Sequence, residues 1–157
     1  KEMYPEFLDD YLSYNHHIKK VDAARYFYLY TYGGIYCDLD FECLKPFDKL
    51  LEDLQSKDII LGSMGSDIKF QHSIPNAIMI SKPKAPFWLY VISEMRKRIN
   101  KGEPEYDTGP KLLHYCLNTY KEQHEIAILK PEMFYGINWA SEKGQNMRRR
   151  IFEEKSL

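Results

Sequence analysis

Apolar and polar positions along the chain change period several times, and each change marks an element. Val21, Ala24, Tyr28 and Tyr32 recur at helical spacing with Ala23, Phe27 and Tyr30 beside them, which predicts a helix from about Val21 to Tyr32 with a broad apolar surface. Gly33 is placed to end it. Residues 35 to 41 then alternate, with Ile35, Cys37, Leu39 and Phe41 on one side and Tyr36, Asp38 and Asp40 on the other: a strand with one wet face. Short helices are expected through Phe7, Leu8, Tyr11 and Leu12 and over "FDKLLEDL", and strands over "DIILG", "NAIMIS" and "EIAILKP". Pro86 opens a helix with Phe87, Val91 and Met95 on one stripe, ending at Asn100 to Gly102. In "DTGP", Thr108 is expected as N-cap and Pro110 near N1 of a helix carrying Leu112, Leu113, Cys116, Leu117 and Tyr120. From Ser141 the chain is polar, with a basic cluster at Arg148 to Arg150, and reads as a surface helix or tail. Interleaved strands and helices give an α/β layered domain.

Composition adds bounds. A chain of 157 residues suits one domain spanning 1–157. A net charge of −1 offers no general attraction to nucleic acid or to an anionic membrane, so any polyanion must be held locally. No stretch approaches the roughly 20 apolar residues a membrane span needs. Three cysteines, Cys37, Cys43 and Cys116, make neither a C-x-x-C pair nor an even framework, so reduced thiols and a cytoplasmic setting are expected. Aromatic content is 15%, with 13 tyrosines, which fits a tyrosine-rich core or a site that stacks rings and bonds hydroxyls.

The chemistry starts at "GGIYCDLDFECLKP", where two aspartates interrupt an apolar run. Positions i and i+2 of a strand share a face, with Cα atoms about 6 to 7 Å apart, close enough for Asp38 and Asp40 to share one ion. Two close carboxylates repel unless a cation or proton intervenes. A hard divalent metal, Mn²⁺ or Mg²⁺, fits this donor set and completes its shell with phosphate oxygens and water, which makes a diphosphate the expected ligand. A lone D-x-D is more often a solvated edge, so context decides. An EF-hand loop starting at Asp38 fails, because Cys43 and Lys49 stand where Gly and Glu are required. A haloacid-dehalogenase-like phosphatase also uses D-x-D after a strand, but Glu42 stands where it prefers a small residue or Thr. Just upstream, Asp22 and Arg25 lie at i and i+3 on the helix feeding the strand, an acceptor and a multidentate donor suited to sugar hydroxyls. His16, His17, His72 and His114 carry less weight as ligands, Trp88 and Trp139 are core by default, and Cys37 and Cys43 are expected to pack.

Taken in order, "VDAARYFYLYTYGGIYCDLDFECLKPFDKLL" resembles the DXD-containing sugar-binding region of glycosyltransferase family 32, which includes initiating α-1,6-mannosyltransferases and capsular polysaccharide transferases and shares its core pattern with clostridial glucosylating toxins. "IPNAIMISKPKAPFW", "DTGP" and "LKPEMFYGINW" extend the resemblance. It implies a GT-A fold, a Rossmann-like nucleotide-sugar-binding domain with a mixed central sheet flanked by helices. It also implies a metal-dependent transferase moving a hexose from a nucleotide-diphosphate sugar to a hydroxyl of a glycan or protein, with retention. UDP-glucose or UDP-galactose is the donor expected first and GDP-mannose the rival. By the same resemblance, Asp40 binds the metal directly, Asp38 faces ribose and metal shell, and Asp22 with Arg25 holds donor-sugar hydroxyls, while Tyr36, Asn76, Asp107 and Gly109 line the site. The family's opening strand and its closing His- and Trp-containing segment have no counterpart here, so the chain is either trimmed at both ends or a reduced member, with the Golgi lumen as the alternative setting if an anchor is missing. A sugar-nucleotide or glycan-binding module without catalysis is the remaining alternative.

Overall fold

A computed structural model describes residues 3–69, 73–139 and 141–154, the side chains of 148 and 151–154 apart. His72 lies outside the described residues. The fold is mixed α/β, as the pattern of elements predicts. Helices α1 (Leu8–Ser13) and α2 (His17–Tyr32) lead into strand β1 (Gly34–Cys37). Helix α3 (Asp48–Asp53), β2 (Ile59–Gly62) and β3 (Ile78–Ser81) follow, then α4 (Pro86–Arg96), α5 (Pro104–Asp107) and α6 (Pro110–Thr119). Strand β4 (Ile126–Leu129), α7 (Pro131–Phe134) and α8 (Glu142–Glu154), whose described side chains are exposed, complete the order of elements. Proline stands at the first turn of α4, α5, α6 and α7, where its fixed φ suits the helix and its missing N–H costs nothing. Among the described residues no helix is long and apolar enough to cross a membrane.

The sheet runs β1-β3-β2-β4, with β1/β3 and β3/β2 antiparallel and β2/β4 parallel. A parallel pair needs a long crossover, and α4 to α6 supply it. Met79 and Leu61, fully buried, pair across β3 and β2 on the sheet face that meets the core of α2, α4 and α6, where Tyr26, Trp88, Val91, Met95 and Leu113 also lie. Met79 is also the register partner of Tyr36, so this face leads directly to the edge strand that carries the carboxylates.

Two expectations about faces are corrected. In α2 the buried stripe is Lys19, Asp22, Ala23, Tyr26 and Leu29, whereas Val21, Tyr28 and Tyr32 are exposed. Both sides of this helix are apolar, so periodicity could not choose between them, and packing against α4 and the sheet does. In the edge strand, Tyr36 turns toward the core while Ile35, Cys37 and Leu39 face solvent. The strand also stops at Cys37 rather than Phe41. Asp38 N–H still donates to Ala77 O at 2.8 Å, extending the ladder one step, and Phe41 N–H then returns to Asp38 O at 3.3 Å. Asp40 therefore rides a turn and not the strand. All three cysteines are free, but only Cys116 is buried; Cys43, like Cys37, is exposed.

The α2–β1 junction is fixed by Gly33, whose N–H caps Leu29 O at 2.9 Å with φ at +64°. A Cβ there would lie 2.5 Å from Pro83 N and 2.7 Å from Ser81 O. Gly33→Ala should cost at least about 1–3 kcal/mol through the backbone conformation alone. Chemical denaturation of the two proteins measures it.

Candidate active site

Arg25 is the hub. It leaves the buried side of α2 with its side chain 6% exposed, and its guanidinium is planar with five N–H donors in fixed directions. Nη1 donates to Asn76 O at 2.6 Å and stands 3.5 Å from Asp38 Oδ1, while Nη2 reaches Asp22 Oδ1 at 3.0 Å. The group also lies over the Tyr36 ring, 4.7 Å from its centroid. One side chain thus ties α2, the end of β1 and the segment before β3.

Around this hub each acid has a distinct environment. Asp22 is buried; Asn76 Nδ2 donates to its Oδ1 at 3.1 Å and Thr108 Oγ1 to its Oδ2 at 3.1 Å. Burial raises its pKa above the ordinary 3.8, against the lowering effect of Arg25, Thr108 and Asn76. An acid raised by folding favours the native state below its unfolded value, and that contribution is lost as pH rises through the folded value. Stability should therefore fall with rising pH from 3.8 upward, and Asp22→Asn should remove this component, which denaturant midpoints measured across acid pH would read.

Asp38 is 38% exposed at its side chain and accepts the Tyr36 hydroxyl at 2.7 Å. Burial and that bond push the Tyr36 pKa up to about 12, so Tyr36 stays a proton donor at neutral pH. Asp40 is exposed. The two acids offer a metal only hard oxygen donors, and no group of three or more His, Cys, Asp or Glu gathers among the described residues. Mg²⁺ or Mn²⁺ fits this set, since either ion accepts one or two carboxylates and takes its other ligands from phosphate and water.

The structure brings Asp22, Arg25, Tyr36, Asp38 and Asn76 together and sets Gly109 beside Asp22, where an added Cβ would lie 3.4 Å from Asp22 Oδ2. Asp107, expected to line the site, does not open onto it. It is completely buried and its Oδ2 meets Lys19 Nζ at 2.7 Å. Thr108 is not the N-cap of α6 either: Gly109 holds that place without a side-chain cap, and the Thr108 hydroxyl is spent on Asp22. Sequence reasoning missed Lys19 and Tyr26 as well, and Tyr26 Oη donates to Thr108 O at 2.7 Å. The available signal was the run 19, 22, 26, 29, an inner helical stripe holding a lysine and an aspartate among apolar residues. Tyr135 was also missed. Its ring meets Phe41 edge-on at 5.8 Å, and burial, then the charge of Asp38, raises its pKa, which puts the "LKPEMFYGINW" segment next to the D-x-D turn. His16 and His17 are exposed, while burial lowers the pKa of His114. Trp88 is core and Trp139 half-buried.

Comparison with known proteins follows the same outline. The family model "glycosyltransferase sugar-binding region containing DXD motif" matches residues 1–57. Residues 1–57 are thus similar to the sugar-binding region of DXD glycosyltransferases. Over 141 residues, 86% of the chain, the sequence is 36% identical to inositol phosphoceramide mannosyltransferase 1 of Schizosaccharomyces pombe, covering 42% of that protein. It is 33% identical to mannosyl phosphorylinositol ceramide synthase CSH1 of Saccharomyces cerevisiae, across 83% of the chain and 35% of the relative. An uncharacterized glycosyltransferase, L373, of Acanthamoeba polyphaga mimivirus is 27% identical over 88% of the chain and 55% of its own length. The chain thus spans well under half the length of the two fungal relatives. No solved structure matches it.

Proposed function

We propose that this chain is the GT-A-type nucleotide-sugar domain of a metal-dependent hexosyltransferase, with a mannosyl nucleotide as donor and the hydroxyl of a lipid-linked inositol headgroup or a related glycan as acceptor. The observation that carries the reading is Arg25 held between Asp22 and Asp38 at the entrance to the D-x-D turn. The fungal relatives are named for transfer of mannose to inositol phosphoceramide. GDP-mannose therefore moves ahead of UDP-glucose and UDP-galactose, the donors expected from sequence. A lipid-headgroup acceptor likewise favours the Golgi lumen over the cytoplasm.

Asp38 and Asp40 would hold Mn²⁺ or Mg²⁺, which neutralises charge on the departing diphosphate. Tyr36 fixes one Asp38 oxygen by hydrogen bond and leaves the other for the ion. Asp22 accepts from a hydroxyl of the donor sugar. Arg25 balances the charges of Asp22 and Asp38 and holds the two carboxylates in place. The acceptor arrives on the leaving-group side, with retention of anomeric configuration.

Incubating the full chain with GDP-mannose, UDP-glucose and UDP-galactose, with and without Mn²⁺, and measuring released nucleoside diphosphate tests this. Release from GDP-mannose only with metal is expected, and Asp40→Ala should lower it by roughly 10²–10³-fold without moving the melting temperature, because Asp40 is exposed. Metal-independent release, or hydrolysis of simple phosphomonoesters with no sugar-nucleotide preference as in a dehalogenase-like phosphatase, would overturn it. Saturable binding with no release would mark a binding module.

A further inference from the structure

The T-G-P turn stands directly against Asp22, and among the described residues the hydrogen bonds to that acid leave it one free place. Each carboxylate oxygen has two lone-pair directions. Oδ1 uses both, on Asn76 Nδ2 at 3.1 Å and Arg25 Nη2 at 3.0 Å. Oδ2 uses one, on Thr108 Oγ1 at 3.1 Å. The Thr108 hydroxyl also lies 3.1 Å from Pro104 O, but that carbonyl already accepts the N–H groups of Thr108 at 3.0 Å and Gly109 at 2.9 Å. Its lone pairs are taken and the carboxylate is the stronger acceptor, so the single hydroxyl proton points to Asp22. Gly109 has φ at −95°, which any residue adopts, so what glycine contributes is room: a Cβ there would sit 3.4 Å from Oδ2 and 2.9 Å from Glu105 Cα. The turn is anchored below by Tyr26 Oη on Thr108 O and by Lys19 on Asp107.

We propose that Thr108 is a positioning residue: it fixes the rotation of the Asp22 carboxylate so that the remaining Oδ2 lone pair, kept open by Gly109, accepts one hydroxyl of the donor sugar. This rests on the reading that Asp22 meets that sugar. Thr108 touches no substrate and acts through Asp22 alone. The consequence is discrimination, since a donor lacking the matched hydroxyl leaves a buried acceptor unpaired.

The test uses the full chain with Mn²⁺, GDP-mannose and its four monodeoxymannose analogues, comparing wild type, Thr108→Val, Thr108→Ser and Asp22→Asn. Wild type should disfavour one analogue by roughly 10–100-fold in kcat/KM. Thr108→Val, which keeps the shape and loses the proton, should lower kcat/KM for GDP-mannose by roughly 10-fold and reduce discrimination against that same analogue, while Thr108→Ser restores both. Thr108→Val melting normally with discrimination intact would overturn the positioning role and leave the function standing. So would a general loss of activity that tracks melting temperature across Val and Ser alike. A wild type inert toward GDP-mannose and all its analogues would overturn the donor reading and this inference with it.

Discussion

Arg25→Ala should unfold or nearly unfold the protein, whereas Arg25→Lys should fold and lose activity. Alanine removes the only basic group paired with Asp22 among the described residues, and that carboxylate's side chain is 8% exposed. Breaking a buried pair from one side costs about 3–5 kcal/mol, because the surviving charge stays out of water without a partner. That is a large part of the roughly 5–15 kcal/mol by which folded domains are stable. The loss extends past electrostatics, since the same guanidinium lies over Tyr36 and bonds Asn76 O, so β1 and the segment before β3 lose their common tie to α2. Lysine keeps a charge near Asp22 and the burial of the stem. Its single ammonium cannot reproduce a flat fork serving Asn76 O, Asp22 and Asp38 in different directions. The expected readouts are a melting temperature a few degrees below wild type and a kcat/KM lower by roughly 10²–10³-fold. A lysine variant with wild-type turnover would show that charge alone suffices and that the fork has no role.

How far the sequence could anticipate this site depends on which interactions are local. Strand and helix identities were readable because proline, glycine and apolar period act over a few residues: Pro86 and Pro110 start α4 and α6, and Gly33 ends α2. The D-x-x-R and D-x-D spacings were readable for the same reason, and Asp22 and Arg25 do pair as one helical turn dictates. The orientation of α2 was not. With tyrosines, valine and alanine on every side, Val21, Tyr28 and Tyr32 look as burial-prone as Tyr26 and Leu29, and only the sheet, α4 and α6 choose between them. Likewise the alternation from Ile35 to Phe41 reads as one strand, but β3 pairs only as far as Cys37 and Ala77 O adds one last bond at Asp38 N–H, so the chain turns and Asp40 leaves the strand face. The task of Thr108 was hidden by proximity: a threonine two places before a helical proline reads as a cap, and its true partner lies 86 residues upstream. Asp107 was misplaced for a related reason, since no local pattern tells an acid that opens on a cleft from one sealed beneath it.

That sealed acid carries the other large expected effect. Lys19→Met should destabilise the protein by about 3–5 kcal/mol, Asp107→Leu by a similar amount, and the double substitution by much less than either. Both side chains are 0% exposed and meet at 2.7 Å, although they stand 88 positions apart in sequence. The ammonium uses all three donors, on Asp107 Oδ2, on Gly102 O at 2.9 Å and on Asn15 Oδ1 at 3.0 Å, so it is fully satisfied where it sits. The carboxylate is less well served, as its Oδ1 is buried and unbonded among the described residues. Leucine in place of Asp107 would leave a buried ammonium with two neutral acceptors; methionine in place of Lys19 would leave a buried anion whose charge, after burial, already raises the pKa of Tyr14, a hydroxyl unbonded among the described residues. Replacing both removes the two desolvation penalties along with the attraction, so in a double-mutant cycle the cost of the double substitution should fall far short of the sum of the two single costs. Denaturant unfolding of the four proteins measures it. The same set separates stability from function: the pair sits under the T-G-P turn, so a folded double variant should regain most of its stability yet show lower kcat/KM than wild type, because the turn that holds Thr108 against Asp22 has lost its rigid anchor. Equal activity in the double variant and the wild type would assign the pair to stability alone.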